Sequence, residues 1–164
     1  MKSCLLPALV AFFCAIVAGC AKKDAHAGHD HAAAAPAKHE HHAPHDGTAI
    51  VLGKEEYHLE FVLDAAAGKL TAYALDGELE NFIRVKALSF EVVATVGTEK
   101  KPLTFQSIAN PATGETVGDT SQFEAQADWL KTTRSFDAAL TFLKIRNATF
   151  LSVEFNFPKG NDKD

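Results

Sequence analysis

No cysteine follows position 20: the three in the chain are Cys4, Cys14 and Cys20. A disulfide framework is therefore excluded for everything after residue 20, as are thiol redox chemistry and thiolate metal sites in any folded part. Clustered lysine and arginine are lacking too. The chain has 16 basic and 21 acidic residues, and without residues 1–19, which contain Lys2 and no acid, 15 basic and 21 acidic residues leave a formal charge of −6. Nucleic acid is not expected as a partner, because phosphate binding needs grouped cations. No apolar run reaches the roughly 20 residues that a permanent membrane helix requires. The longest, Leu5 to Val17, is interrupted by Pro7.

Catalytic patterns are missing as well. There is no G-x-S-x-G elbow, no glycine-rich phosphate loop and no H-E-x-x-H, and His39-Glu40-His41-His42 has the wrong spacing for the last. No two carboxylates stand out as an acid/base couple. An enzyme is not expected. Asn147-Ala148-Thr149 matches a glycosylation sequon, and a turn asparagine accounts for it.

Residues 1–19 have the pattern of an export signal: Lys2 near the start, then the short apolar stretch. They end in Val17-Ala18-Gly19-Cys20, which resembles the lipobox of bacterial lipoproteins. That resemblance implies cleavage before Cys20 and a diacylglycerol plus an amide-linked acyl chain such as palmitate on it. It also implies stable anchoring to a membrane of the cell envelope. Ala21, where an aspartate would signal inner-membrane retention, points to the outer membrane, facing the periplasm.

Residues 20–47 form the next segment, with no apolar side chain larger than alanine or proline after Cys20 and seven of the eight histidines. A stretch of this kind buries too little surface to offset its ordering entropy, so the expectation is a disordered tether reaching roughly 30 Å. His26, His29, His31, His39, His41, His42 and His45 are interleaved with Asp24, Asp30, Glu40 and Asp46. Imidazole suits zinc, copper and nickel, and nearby carboxylates raise the local affinity for divalent ions. Such a tether chelates without selectivity and releases metal as pH falls through about 6.5, the ordinary histidine value. The alternative is a plain spacer.

From Thr48 the pattern changes to short apolar alternations broken by turn signals. Strands are expected at 48–52, 56–63, 70–75, 81–85, 89–96, 103–108, 121–125, 136–145 and 149–157, with a loop at 110–120 and a helical turn at 127–131. In the last strand Leu151, Val153, Phe155 and Phe157 are expected to face inward. Eight or nine short strands without a long helical pattern indicate an all-β domain over 48–160, an immunoglobulin-like β-sandwich, followed by a tail at 161–164. Its stability has to come from an apolar core, with no cofactor required for folding. Trp129, Phe123 and Phe136 are expected in that core rather than in a ligand groove.

His58 is the one histidine of this domain, and Glu60 lies two residues on, about 7 Å away on the same strand face. His45 precedes the adjacent strand, so His45, His58 and Glu60 can converge as a two-histidine, one-carboxylate set for zinc or copper. The segment PHDGTAIVLGKEEYHLEFVLD at 44–64, with LTAYALDG at 70–77, resembles the PHGG…YHLE segment of small bacterial periplasmic or lipoprotein domains. Some of these lie near heavy-metal efflux systems or near the start of efflux adaptor proteins. The resemblance implies metal association and periplasmic residence, with efflux-system or envelope proteins as partners; where the family has its first glycine, this chain has Asp46. Two functions remain at this point: a lipoprotein that binds divalent metal for buffering or efflux support, and an envelope protein-binding or structural module on a spacer.

Overall fold

A computed structural model describes residues 42–162. The expected signal segment, Cys20, and His26, His29, His31, His39 and His41 lie outside the described residues. The body is all-β. Its strands are β1 (Thr48–Leu52), β2 (Tyr57–Asp64), β3 (Lys69–Asp76), β4 (Ser89–Val96), β5 (Glu99–Ser107), β6 (Gln122–Gln126), β7 (Phe136–Ile145) and β8 (Ala148–Phe157). A 3-10 turn, Asp128–Lys131, seats Leu130 in the core.

All eight strands belong to one antiparallel sheet in the order β1-β2-β3-β6-β5-β4-β7-β8. The two layers of the expected sandwich are thus continuous, and the sheet curls until it nearly closes. Phe61 on β2 lies 5.4 Å from the ring of Phe105 on β5 and stacks at 5.3 Å on Phe155 of β8, strands far from β2 in the sheet order. Only a sheet folded over on itself brings those rings together. Phe105 stacks in turn on Phe90 at 4.9 Å, and Phe90 meets Phe123 edge-on. Phe123 and Phe136 are buried and Trp129 packs against the core.

The seam between the first and last strands is closed by the segment after β8. The Asn161 side chain accepts from the Val51 amide (2.8 Å) and donates to the Val51 carbonyl (3.1 Å), taking the place of a neighbouring strand. Thr48 Oγ1 donates to the Pro158 carbonyl at 3.2 Å.

Besides the strand expected at 103–108, which begins earlier as β5 because Glu99 and Lys100 already pair with Val96 and Thr95, two expectations need correction. Residues 81–85 do not form a strand; they run extended beside β3, held by isolated bridges at Leu75–Phe82 and Val85–Thr120. They still alternate as a strand would, with Ile83 and Val85 buried and Phe82 and Arg84 outward. Secondly, Leu151 does not face inward but is 66% exposed. Thr141 and Ser152 make no pair in the β7–β8 ladder, Ser152 has φ of 51°, and the inward phase slips by one residue there. Phe150 and Leu143 consequently take core positions, and Phe142 and Leu151 emerge side by side on the outside.

Candidate functional site

β2 carries Leu59 and Phe61 into the core and turns His58 and Glu60 to its other face. That face is covered by the chain entering β1. A turn closed by the Asp46 amide on the Ala43 carbonyl (3.1 Å) swings residues 44–47 over β2. Asp46 sits at φ of 54°, the left-handed region that aspartate tolerates and glycine prefers. Gly47 makes the close approach: an added Cβ would lie 2.7 Å from both Glu60 Cγ and the Phe61 carbonyl oxygen.

Glu60 is fully buried. Its Oε1 accepts from the amides of His45 (2.7 Å) and Gly47 (2.9 Å), and its Oε2 accepts from His45 Nδ1 at 2.8 Å. The carboxylate therefore fixes both the backbone and the ring of His45. With Nδ1 donating to a carboxylate, Nε2 is the nitrogen left for other partners. The imidazole also stacks on Tyr73, 4.0 Å between centroids and 17° from parallel, while about a third of its side chain stays in solvent. Tyr73 is the cross-strand partner of Glu60. Burial, then the carboxylates of Glu124 and Glu60, raise the pKa of its phenol against the opposing pull of Lys69, so it remains an O–H group at neutral pH.

Of the three residues expected to converge, His45 and Glu60 meet. His58 is buried and donates from Nδ1 to the Asp76 carbonyl at 3.1 Å. Among the described residues no three His, Cys, Asp or Glu side chains are grouped to hold one ion. His42 is exposed.

The His45 ring forms one wall of a groove of about 500 Å³, continued by Tyr73, Phe82, Arg84, Asn110 and Gln122. Sequence reasoning missed all but His45. A strand expected at 81–85 would put Phe82 and Arg84 on one side, but nothing local ties that side to Tyr73 or to the loop at 110–120.

Glu115 anchors the far wall. It is buried, accepting from the Ser121 amide and the Thr113 hydroxyl, each at 2.8 Å. Burial pushes its carboxyl pKa up, but the hydrogen bonds from Ser121 and Thr113, with the Arg84 guanidinium, outweigh that and leave it lowered. A lowered folded value means that its stabilisation is complete above the unfolded pKa of about 4.3 and is lost as pH falls through the folded value. Urea midpoints measured from about pH 7 down to about pH 3 are expected to show this acid loss, and Glu115→Gln to flatten it.

Compared with known proteins, the chain matches no family model, no curated protein and no solved structure.

Proposed function

We propose that the chain is a lipid-anchored protein of the bacterial cell envelope that binds a divalent transition-metal ion, zinc or copper, for buffering or efflux support. The observation that carries this reading is the buried Glu60 holding His45 Nδ1 at 2.8 Å. A carboxylate behind an imidazole is the arrangement that fixes the tautomer and ring orientation of a metal-binding histidine. His45 supplies Nε2 as the positioned ligand, and His26, His29, His31, His39, His41 and His42 supply the remaining nitrogens. A divalent ion held there would compete with protons for the same imidazole nitrogens, so uptake is expected to weaken as pH falls. Cys20 and the lipobox support the anchoring, and Ala21 supports the outer membrane.

Calorimetric titration of zinc or copper into the mature chain tests the reading. Micromolar or tighter binding is expected, with a loss of about tenfold or more for His45→Ala, in line with the loss of a ligand or its support. Replacing the six preceding histidines by serine is expected to remove most of what is left. Binding no tighter than millimolar by the unsubstituted chain would sink the proposal.

One observation favours the second reading, an envelope protein-binding module: Phe142 and Leu151 form an outward cross-strand pair, 53% and 66% exposed. Under that reading, serine at every tether histidine leaves the cellular role intact, whereas Leu151→Glu abolishes it.

A further inference from the structure

The groove beside His45 contains more than an oriented imidazole needs. Phe82 leaves about half its surface in water, although Ile83 beside it reaches the core. Its ring lies 5.8 Å from His45 and 6.0 Å from Tyr73, tilted to both, so the three rings form an angled aromatic wall. Arg84 is two residues further along the same extended segment and points to the same side.

Charge in the groove is matched internally. Glu60 is paired with His45, and Arg84 lies 3.7 Å from Asp119 and close enough to Glu115 to lower its pKa. An anion entering here would meet the carboxylates of Glu115 and Asp119 beside the guanidinium, and a cation would meet Arg84. Neutral hydrogen-bonding capacity is unspent instead. Asn110 uses Oδ1 on the Ala112 amide and Gln122 uses Nε2 on Glu124, while Asn110 Nδ2, Gln122 Oε1 and the Tyr73 hydroxyl make no hydrogen bond among the described residues.

A ligand that suits this lining is uncharged, has a flat face of polarised C–H groups for the electron-rich ring of Phe82, and has a rim of hydroxyls for planar amides and a phenol. We propose that the groove binds a neutral saccharide. A volume of about 500 Å³ lies within the usual range for small-ligand sites and accommodates about one or two pyranose rings. The groove shares His45 with the metal reading, while Phe82, Arg84, Asn110 and Gln122 are not metal ligands in it.

The test is a 1H–15N NMR titration of the full mature chain in EDTA with cellobiose and chitobiose as probes, and galacturonate as the charged control. Saturable shifts are expected at Phe82, Arg84 and Gln122 with at least one disaccharide, with no shifts in the β7–β8 hairpin. Phe82→Ala is expected to weaken binding about tenfold, the scale of one lost aromatic contact, with an unchanged melting temperature showing that the fold is intact. The proposal is overturned by shifts with neither disaccharide, by binding of galacturonate alone, or by an equal response from Phe82→Ala. Because EDTA is present throughout, these outcomes are separate from the fate of the metal reading.

Discussion

Glu60→Ala is expected to lower the unfolding free energy by about 3 kcal/mol, because the amides of two residues and one imidazole lose an acceptor that water cannot fully replace. Each of those donors is within 2.9 Å of the carboxylate in the intact protein. For a body of this size the melting temperature drops by about 10 °C. The loss is local in origin, so the His45 and Gly47 amides should exchange with solvent much faster than those of β4 and β5. Glu60→Gln distinguishes structure from chemistry: it keeps an amide oxygen for the backbone donors but has no charge to polarise the imidazole. Thermal denaturation should show a smaller loss than for alanine, while zinc affinity still falls by about 10- to 100-fold, the usual cost of removing such a partner. Equal zinc affinity in Glu60→Gln and the unsubstituted protein would show that the carboxylate is purely a backbone clamp.

Phe61→Ala should be worse for the fold, costing about 3 to 5 kcal/mol, as large-to-small changes at buried aromatic positions do. The side chain is 1% exposed and touches rings on both β5 and β8, so its removal opens a void where the curled sheet meets itself. Urea denaturation measures the effect. Phe142→Ala is the matched control: the same chemistry on a half-exposed ring should change stability by no more than about 0.5 kcal/mol. A large loss for Phe142 would mean that its face is covered in solution.

Alternation and turn signals located the eight strands of the body, with β5 alone beginning well before its expected start, because each one has a buried and an open side and two-residue periodicity is the imprint of that asymmetry. The same rule misled at Leu151. A positive φ at Ser152 shifts the phase, and serine gives no warning of it. Residues 81–85 had the right alternation, yet their hydrogen bonds go to β3 and Thr120 one at a time instead of forming a ladder. In the site, proximity of His45 to Glu60 was legible because both lie within a few residues of one β1–β2 pair. The identity of the bonding atoms was not, since it depends on Gly47 pressing against Phe61, and the groove was hidden because Tyr73, Phe82 and Asn110 meet only through long-range pairing.

The amide of Asn161 standing in for a ninth strand fixes the order in which the protein can be finished. Val51 lies near the front of the body, and its cap comes from residues made about 110 positions later in the chain. Until those residues arrive, the outer edge of β1 offers free amides and carbonyls to any passing strand, including one from another copy. Ending the chain at Phe157, which removes Pro158 and Asn161, should thus leave the interior nearly untouched and yet make the protein prone to self-association, so that solubility, not melting, registers the damage.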